Sequence, residues 1–326
     1  MSTPAVTTMP PLPPMGRSVR AYFAPVDRVH RLPTLFDPSV NGHFAANTPP
    51  APWIDLGSIE DFVRKSTSKF GELVTGSPGT TQFQVRETVD AAVSFRFKAW
   101  SKLSMALAAG SQHMNLIVPA AGGAANGSGS KGVAPVNLAT GSTATFLALA
   151  ASDAAGFAAG SLVTVDVDYA AQTGYVGSGV YAAYVASASA VNSDPDYIRR
   201  VSFNVARVAS SSSTGLQLAQ PLIAGVPAAN MRVQPISGFV DREGGSFFQE
   251  WSALFLIDGE QGERILYHYP RLQSMAGPAE STSALAPPLE RIALSAAFRA
   301  LPVTDANDGE QVVCFRSFLP SPVTLV

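Results

Sequence analysis

Apolar and polar residues alternate strictly over short stretches of this chain, and that alternation limits the fold more than any other feature. In residues 91–97, Val93, Phe95 and Phe97 take every second position, and residues 82–87 alternate in the same way. Because successive side chains of a β-strand point to opposite faces, a period of two predicts strands with one buried face. The chain is therefore expected to be mainly β.

Further strands are predicted on both sides of this region. Residues 53–57 read as a short strand and turn, and residues 59–68 fit either a strand or one helical turn. Toward the C-terminus, the aromatic stretch 247–257 and the alternating stretch 263–269 are separated by a glycine-containing turn, which predicts a hairpin. The last strands are predicted over residues 289–301 and 310–319.

A helical period appears once, after residue 97. Trp100, Leu103 and Leu107 follow one another at intervals of three and four residues, and Gly110 is a typical C-terminal residue for a helix. We predict one short amphipathic helix over residues 100–109, followed by a strand over residues 114–118.

The density of charged residues divides the chain into parts. Between residues 119 and 192 the only charged residues are Lys131, Asp153, Asp166 and Asp168. Short strand patterns recur there with turns between them, as in small antiparallel domains. The predicted parts are an extended Pro-rich N-terminal segment over 1–52, a discontinuous β domain formed by 53–118 and 236–326, a Gly/Ala/Ser linker over 119–132, and an inserted all-β domain, a small antiparallel barrel or sandwich, over 133–235.

The residue types that usually carry catalysis are few and scattered. His30, His43, His113 and His268 stand in no HxxxH or HExxH pattern, and no GxSxG motif is present. Cys314 is the single cysteine, which excludes an intrachain disulfide and a cysteine-based zinc site. We therefore predict no catalytic, cofactor-binding or metal-binding residue, and we expect that the chain is not an enzyme.

Two local patterns resemble ligand sites. Gly127, Gly129 and Gly132 spell GxGxxG, but their flanks lack the strand and helix that pyrophosphate binding needs, so a linker is predicted. Asp166 and Asp168 share one face of a predicted strand, where they either bind calcium or stay solvated.

The net charge of −2 argues against a duplex-binding face, and no apolar run is long enough to span a membrane.

The order of the elements outside the insert resembles that of the tail tube proteins of long-tailed bacteriophages. A tryptophan precedes a Leu-Gly step in residues 53–57, a long hairpin-like region runs through residues 75–79 into Val85 and Phe95, and one helix follows. The likeness covers roughly half of the chain and is completed by the C-terminal strands over residues 251–257 and 292–298.

This resemblance implies a β-sandwich or half-barrel with one flanking helix. Its copies would close into rings, six-fold because a single tube domain is present, and the rings would stack into a tube. The implied partners are further copies, a tape-measure protein in the lumen, a tail terminator and tail-tip or baseplate proteins, with double-stranded DNA passing through the channel. The protein would belong to the virion tail, and to the host cytoplasm during assembly, with the insert on the tube exterior.

Two sets of residues are candidates for the roles that the resemblance implies. Because DNA must slide through a tube without binding, its lumen should be rich in acidic residues. Ordinary solvated strand carboxylates remain the alternative for each candidate. The lumen candidates are Asp55, Glu60, Asp61, Glu72, Glu87 and Asp90. The candidates for core and ring packing are Trp53, Leu56, Phe95, Trp100, Leu103, Leu107, Trp251, Phe255 and Phe298.

Two other functions stay open at this point. One is a different ring, tube or decoration protein of a phage or of a contractile injection particle. The other is a carbohydrate-binding β-sandwich protein, since aromatic faces stack on sugars and four tyrosines cluster in the insert. These are Tyr169, Tyr175, Tyr181 and Tyr184.

Overall fold

The protein is mainly β, as the alternating sequence predicts. Among the described residues, none of the helices is long and apolar enough to cross a membrane. The computed structural model describes residues 16–118, 133–167, 183–184, 194–243, 247–259, 262–275, 280–281 and 293–321. Outside them lie residues 1–15, the predicted linker with its glycine motif, Asp168, Tyr169, Tyr175, Tyr181 and the side chain of Tyr184.

Two eight-stranded antiparallel sheets and one small hairpin contain the described strands. The first sheet consists of β1 (Gly16–Pro25), β2 (Ile54–Thr75), β3 (Thr80–Phe97), β12 (Glu250–Gly259), β13 (Arg264–Ser274), β14 (Glu280–Ser281), β15 (Ala293–Ala300) and β18 (Phe315–Leu319). The second consists of β4 (Gln112–Ile117), β5 (Val136–Asn137), β6 (Phe146–Ala148), β7 (Leu162–Asp166), β8 (Ala183–Tyr184), β9 (Val205–Ser212), β10 (Gly215–Leu218) and β11 (Arg232–Arg242). The hairpin is β16 (Val303–Thr304) with β17 (Gln311–Val312), and the helices are α1 (Pro38–Asn41), α2 (Lys102–Ala109), α3 (Ala151–Ala154) and a π-helix (Arg199–Phe203).

The first sheet closes on itself as a six-stranded barrel. Its strands follow the order β15, β3, β2, β1, β12 and β13, and β13 returns to β15 through pairs such as Leu272 with Ala300. The other half of β13, from Arg264 to His268, pairs with β18. Closure leaves few barrel strands with unpaired backbone groups. The first sheet is thus a closed barrel, where a sandwich or half-barrel is expected from the sequence.

Four phenylalanines from four strands fill the barrel. Phe23, Phe95, Phe255 and Phe298 are each at most 2% exposed. The rings of Phe95 and Phe298 stack with centroids 5.8 Å apart, and Phe23 meets Phe255 edge to face at 6.0 Å. Leu107 of α2 is buried against the same cluster, so the helix packs on the barrel.

Strand β1 lies within the barrel, although the sequence predicts an extended, irregular segment over residues 1–52. It pairs with β2 on one side and with β12 on the other. Ala21 and Phe23 face the barrel core, Tyr22 packs on the outer face, and all three are fully buried. A strand that is buried on both faces shows no alternation, which is why the pattern did not reveal it.

Residues 26–53, which we call the strap, cover the outer face of the barrel. Phe36 and Trp53 pack there with Tyr22 and Leu254, and the Phe36 and Trp53 rings meet at 6.0 Å almost at a right angle. The strap is therefore part of the fold of its own chain. The sequence predicts an extended segment here but not that it packs on its own barrel.

The second sheet has its own apolar core, and two of its strands were expected elsewhere. Val163 and Val233 are fully buried in that core. Within this sheet β4 pairs with β11, although residues 112–118 and 236–242 belong to the predicted first domain. A period of two predicts that a strand exists but not which strand it pairs with, so the second sheet is larger than the predicted insert over 133–235.

Helix α2 confirms the predicted amphipathic helix and begins two residues later than expected. Ser101 caps it by accepting a hydrogen bond from the Ser104 N–H at 3.0 Å, and Gly110 ends it with a φ of 60°. Trp100 therefore precedes the helix and is 50% exposed. The sequence did not predict α1, α3 and the π-helix, because segments of four or five residues are too short to show a helical period.

Lys102 links the helix to the second sheet. Its ammonium group donates to the Asn115 side-chain oxygen at 2.6 Å and to the backbone oxygen of Val201 in the π-helix. It also lies 5.5 Å from the centre of the Phe239 ring. Both acceptors are neutral, and burial lowers the pKa of Lys102 to about 7. The junction of the two sheets thus contains an amine that titrates near neutral pH.

We expect Lys102 to make the stability of the protein rise with pH between about 7 and 9. The unfolded amine has a pKa of about 10.4, so the unfolded chain binds more protons than the folded one in this window. The Lys102→Met variant should lose this rise in the free energy of unfolding, which is at most about 1.4 kcal/mol per pH unit. Urea denaturation of both proteins at several pH values measures it, and equal slopes would contradict the assignment.

Truncating a phenylalanine inside the barrel should cost more stability than truncating one on its surface. Phe255 is fully buried, whereas Phe318 is 45% exposed. We expect Phe255→Ala to lower the free energy of unfolding by about 3–5 kcal/mol, through lost burial and the cavity left behind. The control Phe318→Ala should cost less than about 1 kcal/mol. If urea denaturation gives similar losses for both, the aromatic cluster is not the centre of the fold.

Candidate functional site

A long β-hairpin projects beyond the barrel. β2 pairs with β1 only as far as Ile59, and β3 pairs with β15 only from Ala92, so residues 67–90 pair with each other alone. We call residues 67–90 the hairpin arm. Every residue in it except Gly71 is exposed, and its strands extend about 30 Å at roughly 3.3 Å per residue.

The arm reverses direction at residues 76–79, inside the hairpin-like region that the sequence predicts. Gly76 has a φ of 98°, a conformation that glycine adopts without steric cost. Residues 82–87 are in a strand, as their alternation predicts, and residues 59–68 belong to β2. The expected burial of one face is absent for residues 82–87, because the described part of the chain leaves that face open.

One face of the arm is apolar near its tip. Leu73 stands opposite Phe83, and Gly71 stands opposite Val85; directly opposed residues share one face of a hairpin. The side chains of Leu73, Phe83 and Val85 are 59%, 63% and 52% exposed. This face is a contiguous apolar surface that the described residues of the chain leave exposed.

The opposite face of the arm is polar. Glu72 accepts hydrogen bonds from the Gln84 amide at 2.8 Å and from the Thr81 hydroxyl at 3.2 Å. The Arg86 guanidinium lies 5.8 Å from the centre of the Phe70 ring, so a cation partly covers the large apolar side chain on this face. The arm is therefore amphipathic, with one solvated face and one suited to contact with protein.

An arm of this kind gains little stability from its own contacts. A two-stranded hairpin is marginally stable in water, and its unpaired edges can accept a further strand. Contiguous exposed apolar side chains mark interaction sites on soluble proteins. The hairpin arm is therefore the first candidate functional surface.

The six acidic lumen candidates are spread along the barrel and the arm, and each has a polar partner. Residues 60–98 contain five acidic and six basic residues, so the structure does not gather the candidates into one acidic surface. Which residues line a lumen stays a prediction. The pairs are Asp55 with Arg20, Glu60 with Lys98 at 3.6 Å, Asp61 with Arg96 at 2.9 Å, Glu72 with Gln84 and Thr81, Glu87 with Lys69 at 3.3 Å, and Asp90 with Arg299 at 3.3 Å.

Most of the candidates for core packing come together in the barrel. Trp53, the last residue of the strap, is buried instead on the outer face of the barrel. Trp100 is half exposed, because the helix begins after it. The residues buried in the barrel core are Phe95, Leu107, Trp251, Phe255 and Phe298, and those partly buried against it are Leu56 and Leu103.

A groove on the outer face of the barrel is the second candidate surface. It has a volume of about 350 Å³ between the strap, β13, β18 and the β16–β17 hairpin, and Leu35, Val303 and Phe315 line it. His268 also lines it, with its ring stacked on Phe315 at 5.7 Å and its Nε2 3.3 Å from the Thr34 backbone oxygen. Burial lowers the pKa of His268 to about 4, so this side chain is neutral at physiological pH.

The rim of the groove is acidic. Residues 303–312 include Asp305, Asp308 and Glu310 and no basic residue. Asp305 lines the groove and accepts a hydrogen bond from the Asn307 N–H at 2.9 Å. Sequence reasoning missed the groove because segments far apart in the chain form its walls, and no local pattern connects them.

A cluster around Cys314 contains reactive residue types but lacks the electrostatics of a reactive site. The Arg64 side chain donates to the Tyr269 hydroxyl at 2.8 Å and lies over the Tyr267 ring at 4.4 Å. Burial raises the pKa of Tyr269 to about 12 and also raises the pKa of the Cys314 thiol. A protonated thiol is a poor nucleophile. The cluster instead ties β2 to the barrel wall just before the arm begins.

Asp166, one of the two carboxylates considered for calcium, belongs to a buried ion-pair network. Its side chain is fully buried, Arg199 donates to both of its oxygens at 3.1 and 3.0 Å, and Asn204 donates at 3.1 Å. Within the part of the chain that the structure describes, no group of three or more His, Cys, Asp or Glu side chains is placed to bind a metal ion.

Comparisons with known proteins assign no family to the chain. No family model matches it, and no curated protein matches it. Any functional conclusion therefore depends on the surfaces described above.

Neutralising the carboxylates of the arm should leave the fold intact. Glu72→Gln, Glu87→Gln and Asp90→Asn together should change the free energy of unfolding by less than about 1 kcal/mol, since exposed ion pairs contribute little. Asp166→Asn, which breaks a buried pair, should cost about 3–5 kcal/mol. Urea denaturation compares the two variants. A similar loss in both would show that the arm carboxylates are needed for folding.

Proposed function

We propose that this chain is the major tail tube subunit of a bacteriophage, a structural protein whose copies form stacked hexameric rings around a channel for DNA. The observation that carries the proposal is the hairpin arm, in which a closed barrel extends two of its strands into solvent and presents an apolar face. A monomer gains nothing from such a face, whereas an assembly of identical copies can bury it.

The strand pairing of the barrel favours the arm as the element of assembly. Closure uses both edges of most barrel strands, and among the described residues the arm and the outer edge of β18 are left for pairing between copies. A contact between two different surfaces of one chain repeats from copy to copy. The copies close into a ring when the rotation that relates each copy to the next is a whole-number fraction of 360°.

The resemblance to tail tube proteins supports the kind of assembly. A long hairpin precedes a helix that packs on the barrel, in the order that the resemblance implies. The expected partners are further copies of the chain, a tape-measure protein in the lumen, and terminator and tail-tip or baseplate proteins at the ends. The protein would act in the virion tail without a catalytic step or a cofactor.

The charges of the arm are compatible with a position beside a DNA channel. Proteins hold DNA chiefly through lysine and arginine side chains that neutralise phosphates. The arm has two basic residues against three acidic ones, and Lys69 is paired with Glu87. This small net negative charge reduces the attraction for a passing phosphate backbone.

The purified full-length chain should assemble into rings or striated tubes with a central hole. Negative-stain electron microscopy shows their form, and light scattering gives a mass that is a multiple of the 34.0 kDa chain. The variant with Leu73→Thr and Phe83→Thr should stay monomeric, because it removes the apolar face while threonine keeps the strand propensity.

The matched control replaces Ile223 and Val226 with threonine. These residues are 49% and 68% exposed and lie after β10, outside the arm. The control should assemble as the wild-type chain does. Assembly of the arm variant, or a wild-type chain that stays monomeric at every concentration tested, would contradict the proposal.

A further inference from the structure

We propose that the groove on the outer face of the barrel binds the hairpin arm of a second copy of this chain. The inference rests on the proposed function, which requires copies to associate, and it identifies the surface that receives the arm. Position, apolar character and strand edges support it.

The arm and the groove are different surfaces of the barrel. In the ring of six strands, two strands separate β2 from β13 in either direction, and β15 alone separates β3 from β13. The arm continues β2 and β3, whereas β13 and β18 form a wall of the groove. A contact between two different surfaces of one subunit is head-to-tail, and it generates rings or filaments rather than a closed dimer.

The two surfaces match in apolar character. The arm presents Leu73, Phe83 and Val85, each more than half exposed. The groove is lined on one side by Leu35, which is 64% exposed, and on another by Phe315. A volume of about 350 Å³ falls in the range of sites that enclose small ligands, so it has room for a large arm side chain such as Phe83.

The strand edges also match. β18 pairs with β13 on one side, and among the described residues no strand lies on its other side. The two strands of the arm pair only with each other, so each has an unpaired outer edge. An added strand that lies beside β18 would satisfy backbone groups on both copies and place its alternate side chains toward the groove.

Two leucines of the strap provide a matched test. Leu35 and Leu32 are both 64% exposed, but only Leu35 lines the groove. Leu35→Lys places a charge where the apolar arm would dock, so the concentration needed for assembly should rise at least about tenfold. Leu32→Lys makes the same change outside the groove and should assemble like the wild type. Urea denaturation should find both variants as stable as the wild type.

A mixing experiment tests the head-to-tail contact itself. The Leu35→Lys variant keeps its arm, and the variant with Leu73→Thr and Phe83→Thr keeps its groove. Each alone should be monomeric in light scattering. Their equimolar mixture should form a dimer with twice the mass of one chain and no larger species, because only one intact contact is available per pair.

The outcomes separate this inference from the proposed function. If the wild type assembles and Leu35→Lys assembles equally well, or if the mixture stays monomeric, the groove is not the receptor while the proposed function stands. If Leu32→Lys raises the concentration needed for assembly as much as Leu35→Lys does, the added charge acts wherever it is placed. The groove is then excluded as the receptor of the arm. A wild-type chain that never assembles overturns both.

Discussion

Closure of the six-stranded barrel is the constraint on which the rest of the structure depends. Pairing on both sides satisfies the backbone of each barrel strand, and phenylalanines such as Phe23, Phe255 and Phe298 fill the interior. Because β2 and β3 are longer than the barrel requires, closure leaves their ends in solvent as the hairpin arm. The strap and β18 complete the outer face and leave the groove between them.

Local sequence patterns predicted the strands and the helix that bury one face and leave the other more exposed. Residues 91–97 alternate because one face lies in the barrel core, and Gly110 ends its helix as a left-handed glycine should. The same reasoning failed at β1, where Tyr22 and Phe23 are buried on opposite faces. It also could not show that β4 pairs with β11, or that distant segments form the groove, since partners in space leave no local signal.

Buried charged groups of the described residues help to hold the fold together, as where Arg199 and Asn204 enclose Asp166. The carboxylates of the arm form exposed pairs, which contribute little stability, and burial raises the pKa of the Cys314 thiol. Lys102 differs because it titrates near neutral pH where the helix meets the second sheet. Among the described residues, the apolar strand face of the arm and the apolar groove are surfaces that the proposed association of copies would bury.

Electron cryomicroscopy of the assembled wild-type chain tests the central claim most directly, because it shows where the arm of each copy lies. We predict rings around a central channel in which residues 67–90 of each copy lie on the neighbouring copy, with the face of Leu73 and Phe83 covered. Rings in which the arms extend freely into solvent, or a chain that forms no ring, would contradict the claim.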